Sequence, residues 1–269
     1  VHEQSRGLHD GDQRWVDVQD VEGRIRAYFE AVSLSGTPPA MTERRLARSA
    51  RSAAPSAFTR VRRLADRGVY DRDAVYAVLD AGMLCHVAHV VDGRPVATPT
   101  FHWRVGERVY WHGSVASRML RTNAAGGEVC LTVTLMDGWV LARSAFNHTA
   151  NYRSVLCFGR PELVTDPAEK TQLLQAFTDH WFPGRWDALR PINRKELAAT
   201  SVLSLPLDEA SAKIRTGGAD DPVRDLDWPV WAGVVPVNQV LGRPAPEPGL
   251  KRGLRRPRVV PPGRAPKAR

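Results

Sequence analysis

The stretch ATPTFHWRVGERVYWHGSVASRML, residues 97–120, gathers the groups in this chain best suited to grip an anion. Ser114, Ser117 and Arg118 stand where the run VASRMLRTNA takes on helical spacing. Free backbone N–H groups, two hydroxyls and a guanidinium would converge there, and that is phosphate-binding chemistry. The same residues allow a plainer reading, in which Ser114 only caps the helix and Arg118 is a solvated helical side chain.

Other residue sets carry less chemistry. His86 and His89 lie three apart in a strand-like run, which sends them to opposite faces, a poor geometry for joint metal ligation. Cys85, Cys130 and Cys157 sit singly in apolar stretches, as buried free thiols do. No Ser-His-Asp or Cys-His arrangement stands out, and no residue is assigned as catalytic acid or base. Neither a GxGxxG after a strand nor a P-loop is present, so Rossmann and Walker readings do not apply.

The elements that must position these residues are mostly strands. Asp71 N-caps RDAVYAVLDAG, whose Val75, Val78 and Leu79 share one helical face and whose end is marked by Gly82. Order is expected to begin there. LCHVAHVV and RPVATPTFHW flank Asp92-Gly93 as a hairpin, and a turn at Val105-Gly106-Glu107 leads to RVYWHG. After the short helix, EVCLTVTLM alternates cleanly, and Asp137-Gly138 predicts a turn into WVLARSA. YRSVLCFGRPELV follows, with a bend at Gly159. Asp166-Pro167 opens the helix DPAEKTQLLQAFTDHW, a short helix spans 195–199, and TSVLSLPL is the last clear strand. SAKIRTGG and DWPVWAGVVPV close the domain. Antiparallel meanders with helices outside point to a barrel and against a parallel sheet.

The net charge of +9 is not spread evenly. Residues 243–269 hold nine Lys or Arg against the single Glu247, in a Pro- and Gly-rich composition that cannot bury a core. The expected organisation is a mobile extension over 1–55, one folded domain over 56–242 and a disordered basic tail over 243–269. A nucleic-acid partner is not expected, because the folded part is nearly neutral. No run of eighteen apolar residues occurs, and VHEQSRGLHDGDQRW is charged where a secretory signal is apolar. A cytoplasmic protein without membrane spans is the expectation.

From about residue 60 to 237 the chain resembles the pyridoxamine 5′-phosphate oxidase-like superfamily, in its flavin-nucleotide-binding, nitroimidazole-resistance-related branch. The phrases that carry the resemblance are LDAGMLCHVAHVVDGRPVATPTFHW, YWHGSVASRML, VCLTVTLMDGWVLARSAF, NYRSVLCFGRPELVTDPAEK, PGRW, SAKIR and WAGVVPV. The resemblance implies a mainly β fold, a six-stranded antiparallel split β-barrel with peripheral helices. It also implies a homodimer with FMN in each of two clefts between barrels. Thr98, Pro99, Thr100 and His102 would lie along the isoalloxazine, with His112 and Gly113 at its mouth. Ser117 and Arg118 match the pair that holds the FMN phosphate, with Ser114 beside them. Where that pair is followed by Lys in the oxidase branch, this chain has Met119, and Arg121, Arg143 or Arg153 could supply the second cation that the phosphate needs. Trp228 or Trp231 would cover the flavin from the partner subunit, or simply pack at the interface. The oxidase branch's C-terminal substrate-phosphate motif is absent. The implied activity is FMN-dependent reduction of a small or xenobiotic molecule, with a nicotinamide or deazaflavin as hydride donor. Two alternatives are a flavin carrier without turnover, and a haem protein using His86, His102, His112 or His148 as axial ligand.

Overall fold

A computed structural model of the chain describes residues 55–260, Arg252 excepted. The extension expected over 1–55 lies, apart from Pro55, outside the described residues, as does the tail beyond Val260. Order starts earlier than Asp71. Residues 65–67 form a 3-10 turn, and β1 (Gly68–Val69) pairs with β9 (Glu209–Arg215). A short strand of this kind has no sequence signal of its own, because two residues show no alternation.

Helix α1 (Arg72–Ala81) begins as the sequence predicts, with the Asp71 carboxylate accepting the Ala74 amide at 3.0 Å. Val75, Val78 and Leu79 are buried, each contributing about 1.5–3 kcal/mol of transfer free energy. Gly82 is required for a reason the sequence hides. Its φ of −81° is open to any residue, but an added Cβ would stand 2.3 Å from Val133 Cγ1.

Strands β2 (Leu84–Val91), β3 (Arg94–Val105) and β4 (Arg108–Ser114) form the expected meander. Asp92 and Gly93 both have positive φ, 48° and 73°, as a tight hairpin demands. Ser117 rather than Ser114 holds the N-cap position of helix α2 (Arg118–Ala124), without a side-chain capping bond; Ser114 instead closes the preceding turn, its carbonyl accepting the Ser117 amide at 2.9 Å. The turn predicted at Asp137-Gly138 does not exist. Strand β5 (Val129–Leu141) runs straight through it with a bulge between Met136 and Gly138. Gly138 is there because β10 (Gly233–Pro236) comes so close: a Cβ would meet the Val235 carbonyl oxygen at 3.0 Å.

Next come β6 (Thr149–Gly159), β7 (Glu162–Leu163), α3 (Pro167–Trp181), α4 (Arg194–Ala198) and β8 (Thr200–Pro206). Asp166 caps α3 as expected, accepting the Ala168 and Glu169 amides. The sheet is antiparallel, in the order β1-β9-β6-β5-β2-β3-β4-β8-β7, with β10 added to β5. It is a mainly β, split-barrel arrangement whose path does not close. Among the described residues, ten strands replace the expected six: β1, β7 and β10 are short additions, and SAKIR forms β9. Residues 243–260 hold no regular element among those described, though the Val260 amide donates to the Trp181 carbonyl at 2.8 Å. No described helix is long and apolar enough to cross a membrane.

Two apolar clusters lie on either side of β4. Val109 and Trp111 point into the main core with α1, β2, β5, β6 and β8, while Tyr110 joins Trp103, Leu173 and Leu174 beneath α3. The outer face of β2, β3, β5 and β6 is left bare: Leu84, Val90, Phe101, Met136 and Leu156 are all exposed.

Candidate functional site

The site begins where β3 divides its pairing. Residues 94–101 pair with β2, up to Leu84↔Phe101, whereas His102 to Val105 pair with β4, starting at His102↔Trp111. Beyond that point β4 goes on pairing with β8 through His112, Gly113 and Ser114, and shares no ladder with β3. One backbone edge of Thr98, Pro99 and Thr100 is thereby left without a strand partner, and polar main-chain groups in that state need another partner or water. Thr98 and Thr100 lie opposite Val87 and Cys85, on the core side of the sheet, yet both are only half-buried because β4 has departed.

The candidate anion-binding residues sit at the end of this parting. Ser117, the first residue before α2, makes no capping bond with its hydroxyl. Arg118 is exposed and has no ion pair among the described residues. Gly113 is tight against this helix, since a Cβ there would lie 3.0 Å from Leu120 Cδ1. The Ser114 hydroxyl accepts the Ala116 amide at 3.2 Å and so shapes the turn. Of the three candidate second cations, Arg121 is exposed, lies one turn beyond Arg118 and is likewise unpaired among the described residues.

Arg143 and Arg153 are placed elsewhere and are already engaged. Arg153 forms a two-pronged pair with Asp137, at 2.9 and 2.7 Å. Arg143 bonds Asp221 through its guanidinium at 3.0 Å and its backbone amide at 3.1 Å. Burial works against the Asp221 charge, but the Arg143 bonds outweigh it and hold this carboxyl below its ordinary range. Arg153 pairs across to Leu135, four residues along β5 from Leu131, which is level with Thr98; that is about 13 Å at strand rise. Within one chain neither arginine joins Ser117 and Arg118. Trp231 is also at that far end, exposed, with its ring over Gly233.

The two histidines expected beside the flavin part company. His102 is fully buried, and its Nε2 lies 2.9 Å from the Leu79 carbonyl. A carbonyl only accepts, so Nε2 carries the proton and Nδ1 remains a buried acceptor without a partner. Burial pushes this imidazole down to about 4, overriding the bond to Leu79. Its ring is a core element, so only its backbone can line a ligand and it cannot serve as an axial ligand. His112 faces the other side of the sheet, between Trp103 (5.6 Å between ring centres) and Phe177 of α3 (4.8 Å). Burial lowers its pKa and leaves Nδ1 without a partner. The spacing of Phe177 marks a core stripe, which is why this aromatic chamber went unseen in the sequence. His86 and His89 do point to opposite faces, one exposed and one buried. The thiols of Cys85 and Cys157 are buried and pushed up by burial, Cys85 to about 12, so neither is a nucleophile.

Comparison with known proteins now adds to this geometry. The family model described as pyridoxamine 5′-phosphate oxidase matches residues 71–214. The chain belongs to that family. Among solved structures, the flavocytochrome Anf3 from Azotobacter vinelandii is 46% identical with a TM-score of 0.73, over 76% of this chain and 95% of its own. The FAD and haem binding protein from Mycobacterium smegmatis is 39% identical with a TM-score of 0.68, over 73% and 95%. A search of curated proteins returns no match.

Proposed function

We propose that this protein is a redox protein that holds a flavin nucleotide at the parting of β3 and β4, with haem as a second group, and reduces a small molecule. The observation that carries the reading is that both relatives, matched over about three quarters of this chain, unite flavin with haem in their names. The expected FMN is widened accordingly. FAD is the flavin that the Mycobacterium relative's name specifies.

The residues present fit a phosphorylated flavin. Ser117 offers an unengaged hydroxyl, and Arg118 and Arg121 are two exposed guanidinium groups on successive turns of α2. The unpaired edge of Thr98, Pro99 and Thr100 supplies backbone donors and acceptors for a ring edge. When bound, flavin accepts a hydride and releases electrons singly, and the chain's own residues position it and exclude water. The hydride donor in this reading is a nicotinamide or a deazaflavin.

The working unit is a homodimer. Leu84, Val90, Phe101, Met136 and Leu156 form an apolar outer face that a second copy would cover. Arg143, Arg153 and Trp231, remote from Ser117 within one chain, would then reach a cleft from the partner.

The visible spectrum of purified protein, with mass spectrometry of released cofactor, tests the reading. Flavin and haem bands are expected together, and the mass separates FMN from FAD. Steady oxidation of a nicotinamide or reduced deazaflavin distinguishes a reductase from a carrier. A colourless protein that takes up no added flavin would overturn the reading.

A further inference from the structure

We propose that His148 would hold the haem iron through its Nε2; this rests on the flavin-and-haem reading above. Its Nδ1 lies 2.8 Å from the Ser144 carbonyl oxygen. Because that oxygen can only accept, Nδ1 carries the proton and the Nε2 lone pair is left free. A neutral imidazole held by a backbone carbonyl through one nitrogen, with the other presented outward, is the form in which histidine binds iron. The residue is exposed, and Nε2 has no hydrogen-bond partner among the described residues.

The surroundings suit a flat apolar macrocycle. His148 precedes β6 in extended backbone, φ −61° and ψ 137°, two residues before Ala150 and so on the same face. Ala150 lies opposite Trp139 of β5, and Trp139 lies opposite Val235 of β10. Trp139 is 55% exposed on this face. Gly233 lies opposite Leu141, and the Trp231 ring rests on it so closely that a Cβ would meet the ring at 2.8 Å. Phe146, two residues before His148, is 94% exposed. Exposed aromatic groups next to an oriented imidazole in sequence and sheet register are a costly arrangement unless something apolar covers them.

The other described histidines lack one half of this arrangement. The His102 ring is locked in the core by Leu79, and His89 is buried with Nδ1 only 3.4 Å from the Val87 carbonyl. The free nitrogens identified on His112 and on His180 of α3 are buried, against Phe177 and Trp181 respectively. His86 is exposed, but no hydrogen bond among the described residues fixes its ring.

The test is reconstitution of the full-length protein with hemin. Wild type is expected to take up one hemin per chain with the absorption and electron paramagnetic resonance signature of histidine ligation. His148→Gly should lose that signature and release haem on the order of tenfold faster or more, and added imidazole should restore the wild-type bands. Flavin occupancy and melting temperature should be unchanged, because the residue is exposed. If His148→Gly keeps the wild-type signature, or loses haem without rescue by imidazole, the assignment is overturned. If wild type itself takes up no stoichiometric hemin, the haem half of the functional reading fails, and the assignment with it.

Discussion

Replacing Arg118 by Ala tests the phosphate contact proposed for the flavin site. The side chain is exposed and has no ion pair among the described residues, so its removal breaks nothing in the free protein. Stability should therefore stay within about 0.5 kcal/mol of wild type. Binding is another matter, since a charge-assisted hydrogen bond to a phosphate contributes about 1.5–3 kcal/mol. The dissociation constant for FMN or FAD should rise roughly ten- to a hundredfold. Riboflavin has the same ring and no phosphate, and its affinity should hardly change. Fluorescence titration of the three flavins against wild type and Arg118→Ala measures this directly. A general disturbance of the barrel would weaken all three together, whereas loss of a phosphate contact spares riboflavin. Equal losses for all three, or none for any, would refute the assignment and return Arg118 to a solvated helical residue.

Gly82→Ala should destabilise the fold by about 1–3 kcal/mol through overpacking, given a Cβ 2.3 Å from Val133 Cγ1; thermal melts should show it, with partial relief on adding Val133→Ala. An unchanged melting temperature would show that this contact relaxes freely. His102, held at about 4 against an ordinary 6.5, binds a proton more readily when unfolded, so stability should fall as pH drops through that window and be flat above it. The linkage amounts to at most about 3 kcal/mol. His102→Gln, which keeps a donor for Leu79, should lose that acid slope in chemical denaturation, and a retained slope would point to another group. Val90→Glu places a charge on the bare outer face and should turn the proposed dimer into monomers by analytical ultracentrifugation; a dimer that persists would mean that another surface forms the interface.

Local signals made much of the scaffold legible. Asp71 and Asp166 cap their helices as read, and Asp92-Gly93 makes its hairpin, because capping and positive φ are properties of a few adjacent residues. Alternation in LCHVAHVV and VCLTVTL separates inner from outer residues correctly for the same reason. Where the explanation lay in another element, the sequence misled. Gly138 reads as a turn, but its lack of a side chain serves the approach of a strand about a hundred residues later in the chain, roughly the separation of β5 from β10. Gly82 reads as a helix stop, yet it is fixed by Val133.

The same division runs through the site. Ser117 and Arg118 are candidates on sequence alone, because a hydroxyl and a guanidinium ahead of a helical run suit an anion. That Arg143 and Arg153 are engaged by Asp221 and Asp137 could not be read there, since which carboxylate reaches which guanidinium depends on a bulge and a loop. Nor could the roles of the histidines. His102 and His148 are the same residue type in similar polar-apolar contexts, and only the folded chain sends one ring into the core against Leu79 and leaves the other outside, its Nδ1 held by Ser144. Residue type and spacing determine which chemistry is available along the chain. Which groups remain free to perform it is decided by burial and by partners far apart in sequence, and those exist only once the strands have found their register.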